Sequence, residues 1–307
     1  MVDELGTVEI ARRAGEGSLR EVRGIGEVTA RVIEEALGGA VPAHLERLEA
    51  EQAATWGPGS GGALRGLLRG DCHVHSDWSD GDSPIWEMAE AARQLGHEYV
   101  VLTDHSPRLR VANGLSADRL RRQLEEVAAL NEVLAPFRIL TGIEVDILDD
   151  GSLDQEEELL AVLDVVVGSV HSKLRMPSLE MTRRMVAAVE NPHLDILGHC
   201  TGRYVMGKTR PESDFDPEVV FAACRRWNKA IEINSRVERL DPPRRLLRLA
   251  NELGCLFAID SDAHAPGQLD WLSNGTVRAE ECGVTPERVV NTWPAEALLA
   301  WARSHER

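Results

Sequence analysis

His73 and His75 stand two residues apart in the run Asp71-Cys72-His73-Val74-His75, which leads into the polar turn Ser76-Asp77-Trp78-Ser79-Asp80-Gly81. Side chains two apart on a β-strand leave the same face. A strand here aims two imidazoles at one point, and the turn brings Asp80 toward it. Histidine and carboxylate donors without thiolate suit Zn²⁺, Mn²⁺ or Fe²⁺, and the donor set does not choose among them. A histidine pair on a strand also serves as ordinary packing or hydrogen bonding, so the rest of the chain has to decide.

It decides through position. Further donors follow short apolar runs: Asp104-His105 after 99–103, Glu144 at the end of 138–144, His171 after 163–170, His199 after 194–197, and Asp262-Ala263-His264 after 255–259. Of the ten histidines in the chain, six occupy these places. His44, His97, His193 and His305 do not, and are expected to be surface or structural. Singly, each donor has a plain alternative: Asp104 or His105 can cap a helix, and Glu144 can pair with a buried cation. Together they point to a metal site.

The runs themselves, completed by 71–75 and 230–233, are rich in Val, Ile and Leu and nearly continuous, as buried parallel strands are. Between them, amphipathic stretches at 83–95, 117–134, 178–189, 216–227 and 244–253 read as helices, with Pro84, Pro136, Pro192 and Pro217 near their ends. Seven β/α repeats fit a TIM-like barrel one unit short of eight, or a doubly wound open sheet. Six of the seven runs end in a donor. An open sheet does not gather its strand ends around one point, whereas a closed barrel does, so the expected fold is the barrel.

A chain of 307 residues, 43% hydrophobic and 28% charged, can bury a core of that size. No apolar run is long enough to span a membrane and no signal peptide precedes the first helix, so a cytoplasmic protein without a membrane partner is expected. Cys72, Cys200, Cys224, Cys255 and Cys282 are scattered, which argues against a disulfide framework or a zinc ribbon and for small buried apolar residues. The net charge of −17 argues against a surface coated for nucleic acid but leaves room for a local basic groove.

Residues 7–52 read as helical, with breaks at Gly15-Glu16-Gly17 and Gly24-Ile25-Gly26. The segment 21–34 resembles a helix-hairpin-helix element, in which Gly24 and Gly26 would turn backbone N–H groups toward a DNA phosphate. A plain αα-hairpin also uses glycine at its turn. Six arginines against eleven acidic residues over 1–62 depart from what a strong phosphate binder carries. Trp56-Gly57-Pro58-Gly59-Ser60-Gly61-Gly62 marks a linker. The expected organisation is a helix-hairpin-helix module over 1–56, a linker over 57–66 and a barrel over 67–307.

Six motifs together resemble the PHP (polymerase and histidinol phosphatase) family: Asp71-Cys72-His73-Val74-His75-Ser76, Leu102-Thr103-Asp104-His105-Ser106, Gly142-Ile143-Glu144-Val145-Asp146, Gly168-Ser169-Val170-His171-Ser172, Ile196-Leu197-Gly198-His199 and Ser261-Asp262-Ala263-His264. The resemblance implies a distorted (β/α)7 barrel with three divalent ions. One ion would be held by His73, His75, Glu144 and Asp262, a second by Glu144, His171 and His199, and a third by Asp80, His105 and His264. Asp80 in Ser79-Asp80-Gly81 is similar to the branch fused to bacterial family X DNA polymerases, as are the flanks 169–176 and 190–199 and the upstream hairpin. No polymerase palm precedes the linker, so nucleotide polymerisation is not expected.

The activity implied is phosphoester hydrolysis by metal-bridged hydroxide, with Glu144, His171, Asp262 and Lys173 as catalytic residues. Lys173, Arg175, Arg203 and Arg236 follow strand ends and are candidates to grip phosphate. Asn234 and Ser235 are candidates to support the donors. The expected substrate is a DNA end or abasic site, in the manner of a 3′–5′ exonuclease or 3′-phosphatase. A small-molecule phosphatase of the histidinol-phosphate type and a non-catalytic DNA-binding module are the alternatives.

Overall fold

The computed structural model describes residues 2–22, 25–44 and 62–305. The chain divides into two units, Met1–Ser60 and Gly61–Arg307.

In the first unit α1 (Val2–Gly15) leads through a 3₁₀ turn at Leu19–Glu21 to α2 (Glu27–Leu37). Ile10, Leu19, Ile25 and Ala30 form a small apolar core between them. Gly24 lies outside the described residues. Gly26 precedes α2 in an extended conformation (φ −86°, ψ −178°) that any residue can adopt. A Cβ there would meet nothing within 4 Å, so nothing among the described residues calls for glycine at 26.

The second unit is a nearly closed barrel of seven parallel strands in sequential order: β1 (Gly70–Val74), β2 (Tyr99–Leu102), β3 (Arg138–Asp146), β4 (Val165–Ser169), β5 (Ile196–Leu197), β6 (Ala230–Asn234) and β7 (Leu256–Asp260). A bridge between Val74 and Ala263 and the hydrogen bond from His75 N–H to Ala263 O (2.9 Å) draw the first and last strands together. The helices are α3 (Gly62–Arg65), α4 (Ile85–Gln94), α5 (Ala117–Leu134), α6 (Glu157–Leu160), α7 (Ser178–Glu190), α8 (Pro217–Arg226), α9 (Arg244–Glu252), α10 (Leu272–Glu281) and α11 (Ala295–Arg303). The seven-stranded barrel matches the expected fold class. The linker expected over 57–66 is shorter at its far end, because α3 buries Leu64 in the barrel's main apolar cluster and Leu64 N–H donates to Glu280 Oε1 at 2.8 Å.

One apolar cluster takes residues from all seven strands, among them Cys72, Val101, Leu140, Val167, Ile196, Ala230 and Ala258, and is packed by Leu298, Leu299 and Trp301 of α11. The two-residue period of a strand then fixes what lies further along the same face. Leu140 leads to Glu144, Val167 to His171, Ala230 to Glu232 and Ala258 to Asp262. The apolar floor and the polar mouth are thus two levels of the same strand faces. β1 departs from simple alternation through a register shift between Asp71 and Val74, the kind of irregularity that re-aims a side chain.

His97, between α4 and β2, is 5% exposed and neither ring nitrogen has a hydrogen-bond partner among the described residues. Burial first, then the charge of Arg65, pushes its pKa from 6.5 down to about 4. The folded state therefore prefers the neutral ring. Its contribution is complete above pH 6.5 and is lost as pH falls toward 4, by on the order of 2–3 kcal/mol. In urea unfolding, His97→Leu is expected to lose stability less steeply than the native chain between pH 6.5 and 4. Parallel pH profiles would refute this.

Candidate metal centre

The donors reach the mouth from six of the seven strand ends. β1 carries His73 and, just beyond its end, His75, with ring centroids 5.0 Å apart and both rings buried. His105 follows β2, Glu144 lies near the end of β3, His171 follows β4, His199 follows β5, and Asp262 and His264 follow β7. Asp80 enters from the turn after β1.

Glu144 is the hub. Its Oε1 lies 2.8 Å from His199 Nε2 and 3.3 Å from His171 Nε2. Its Oε2 lies 2.9 Å from His105 Nδ1, 3.3 Å from His73 Nε2 and 3.7 Å from His75 Nε2. Asp262 Oδ1 is 3.5 Å from His75 Nε2 and 3.6 Å from His264 Nδ1. Asp80 Oδ1 is 3.5 Å from His105 Nε2 and 3.4 Å from His264 Nε2. All nine residues expected as metal ligands are therefore brought to one place.

Their geometry fits cations better than it fits hydrogen bonds. His73 Nε2, His75 Nε2, His105 Nδ1 and His171 Nε2 are buried and lack hydrogen-bond partners among the described residues, although each faces a carboxylate. Buried polar atoms are normally paired, and orphaned imidazole nitrogens converging on carboxylates are what ligation requires. Three groups have donor atoms within 4.8 Å of one another: His75, Asp80, His105 and His264; His73, His75 and Asp262; and His105, Glu144 and His171. His75 and His105 each fall in two of these groups.

Charge complements this arrangement. Burial alone would raise the Glu144 pKa, but His171, His73 and His105 hold it well below the usual carboxylate range. Burial, reinforced by His264 and His105, pushes His75 well below the ordinary imidazole value, toward the neutral form that ligates metal. Asp262 holds a left-handed backbone, φ 55°, which an aspartate tolerates at some cost and which surrounding contacts must maintain. Those contacts are Asn234 Nδ2 at 3.1 Å and Arg239 Nε at 3.1 Å from its Oδ2.

A second ring of residues orients the first. Glu232 Oε1 lies 2.6 Å from His73 Nδ1, and Asp146 Oδ1 lies 2.7 Å from His171 Nδ1. A carboxylate accepts only, so it holds the proton on Nδ1 and leaves Nε2 free to face the centre. Asp104 does not cap a helix. It accepts from Ser76 N–H (2.8 Å), Ser76 Oγ (2.6 Å) and Gln123 Nε2 (2.6 Å), tying the turn that carries Asp80 to β2 and α5.

The expected phosphate-gripping residues divide. Arg236 Nη1 lies 3.0 Å from His264 Nδ1 and 3.5 Å from Asp262 Oδ1, at the mouth. Lys173 is exposed and paired with Asp149. Arg175 is exposed on the loop after β4. Arg203 commits its guanidinium to the backbone carbonyls of Arg239 and Leu240. Asn234 supports Asp262, whereas Ser235 Oγ has no partner among the described residues. The five cysteines are free and buried.

A PHP-domain family model matches residues 71–235. The DNA polymerase/3′-5′ exonuclease PolX of Bacillus subtilis is 42% identical over 241 residues, covering 78% of this chain and 42% of the relative, so the chain spans less than half of that protein. A protein named probable phosphatase in Caldicellulosiruptor saccharolyticus is 30% identical over 248 residues, covering 78% of this chain and 98% of that one. The histidinol phosphate phosphatase of Lactococcus lactis, solved with zinc, L-histidinol and phosphate, shares the fold at a TM-score of 0.50 and 17% identity, covering 71% of this chain and 95% of that one. With its nine donors at successive strand ends and these matches, the chain belongs to the PHP family.

Proposed function

We propose that the barrel is a trinuclear metal-dependent phosphoesterase acting on DNA 3′ ends or abasic sites, as a 3′–5′ exonuclease or 3′-phosphatase. The observation that carries the hydrolytic reading is the convergence of orphaned buried imidazole nitrogens on Glu144 and Asp262. The similarity to PolX over the barrel supports a DNA substrate. His73, His75, Glu144 and Asp262 would hold one ion, Glu144, His171 and His199 a second, and Asp80, His105 and His264 a third. Zn²⁺, Mn²⁺ and Fe²⁺ all suit this donor set. Bound divalent ions supply Lewis acidity, which acidifies water and neutralises phosphate oxygens.

The chain's own residues do the rest. Glu232 and Asp146 fix the tautomers of His73 and His171. Arg236 presents a cation at the mouth, where a phosphate oxygen accumulates charge. The N-terminal unit, over 1–56, is assigned to DNA contact as a helix-hairpin-helix module. Its Gly26, which no contact among the described residues requires, leaves the backbone open to close approach. The net charge of −17 favours a second reading, a small-molecule phosphomonoesterase.

An activity panel separates the two. Protein loaded with Mn²⁺ or Zn²⁺ is expected to hydrolyse single-stranded DNA or 3′-phosphate DNA in preference to histidinol phosphate. Efficient cleavage of histidinol phosphate with untouched oligonucleotides would establish the second reading instead.

A further inference from the structure

The loop after β5, residues 198–216, lines a half-open cavity of about 530 Å³ together with Arg175 and Glu238. Tyr204 and Arg210 pair backbone to backbone in both directions (2.9 and 3.0 Å), and Val205 N–H donates to Glu238 O at 2.6 Å. Arg210 Nε donates to Gly202 O at 2.6 Å. The cavity wall is thus built by hydrogen bonds rather than left to a loose loop.

Its chemistry is unusual for this chain. Arg175, Lys208 and Arg210 face it against the single carboxylate of Glu238, while Tyr204 and Met206 give it an apolar side. The Tyr204 ring carries the guanidinium carbons of Arg210 at 4.4 Å and Arg239 at 4.7 Å. Arg239 is 7% exposed, and its Nη1 has no hydrogen-bond partner among the described residues. Its Nε lies 3.1 Å from Asp262 Oδ2. One guanidinium therefore separates the aromatic wall of the cavity from a donor of the metal centre.

We propose that this cavity is the subsite for the nucleotide adjoining the scissile phosphate of a single-stranded DNA 3′ end. The base lies against Tyr204, Met206 and the outer face of Arg210, because aromatic and guanidinium planes accept any base. The flanking phosphate pairs with Arg175 and Lys208. A small phosphomonoester fills only the mouth and has no use for a cationic, aromatic annex. The inference rests on the phosphoesterase reading and specifies what the substrate offers beyond the reacting phosphate.

The test is the variant Lys208→Glu in the full chain loaded with Mn²⁺; its side chain is exposed and lies outside the donor cluster. Binding of a fluorescein-labelled oligothymidylate with a hydrolysis-resistant 3′-phosphorothioate is followed by anisotropy. Its Kd is expected to rise about fivefold or more, and the slope of log affinity against log salt to fall in magnitude by ~0.7, the share of one lost phosphate contact. Hydrolysis of p-nitrophenyl phosphate is expected to stay within about twofold, since no group at the donors has changed. Any DNA held by the N-terminal unit cancels in the comparison.

Unchanged affinity and slope, or equal losses on both substrates, would overturn the subsite. A native chain that cleaves p-nitrophenyl phosphate yet ignores the oligonucleotide would overturn the subsite and leave the phosphoesterase reading standing. Binding weakened in the variant, with no phosphoester cleaved by either protein, would overturn the phosphoesterase reading and the subsite with it, leaving a DNA-binding cavity alone.

Discussion

Glu144→Gln is expected to lower phosphoester hydrolysis by roughly 10³-fold or more while the barrel still folds. Removing an outer partner of a metal ligand costs about 10–100-fold, and Glu144 lies deeper than such a partner, at the centre of the imidazole cluster. Its two oxygens lie within 2.8–3.7 Å of His73, His75, His105, His171 and His199, so no other carboxylate can take its place. Glutamine keeps the shape but removes the negative charge that five imidazoles and their cations share. The fold survives because the apolar level below is independent of the centre: Leu140, two turns of the pleat beneath Glu144 on β3, packs with residues from every other strand. The measurements are kcat/KM, metal content by elemental analysis and a far-ultraviolet circular dichroism spectrum. Native activity at native metal content would show that Glu144 is not the hub.

Much of this centre is legible in the amino-acid order alone, because a closed barrel turns position along the chain into position in space. His105, His171 and His199 follow apolar runs, and the barrel delivers each run's end to the same mouth. What stays hidden depends on pairing across the barrel. Glu232 sits in Ala-Ile-Glu-Ile, a run read only for its apolar members. A carboxylate inside such a strand must find a partner or suffer a large desolvation penalty, and that signal lies in the residue types themselves. Asp146, two residues beyond Glu144 and on its face, is equally visible by period. No local pattern announces Arg239, which reaches Asp262 from a loop of its own, or the clasp of Asp104 on the Asp80 turn. Nor does composition reveal that α11 packs against the cluster drawn from all seven strands. The cations differ again: Arg175, Arg203 and Arg236 share a place after strand ends, but only the folded chain shows that Arg203 is taken up by backbone carbonyls.

Glu232→Ala is expected to damage both stability and metal affinity, and the two losses have separate origins. The side chain is fully buried. Its Oε1 accepts from His73 Nδ1 at 2.6 Å, and its Oε2 accepts from the His199 backbone N–H and from Asn234 Nδ2 at 3.2 Å. Truncation leaves the His73 and His199 donors in a closed interior without acceptors and Asn234 Nδ2 with Asp262 alone, a loss on the order of 3–5 kcal/mol for a broken buried charged network. It also frees the His73 ring to rotate and to move its proton to Nε2, which would turn a metal-facing lone pair into a donor. Metal affinity is expected to fall about 10–100-fold. Glu232→Gln separates the effects. Its amide oxygen can stand in for Oε2 and accept from His199 N–H and Asn234 Nδ2, recovering part of the stability, but an NH₂ group cannot accept from His73 Nδ1. Urea unfolding of chelated protein reads the first loss, and metal titration reads the second. If Glu232→Gln matches the native chain in metal affinity, Glu232 serves the fold alone and the orientation of His73 has another source.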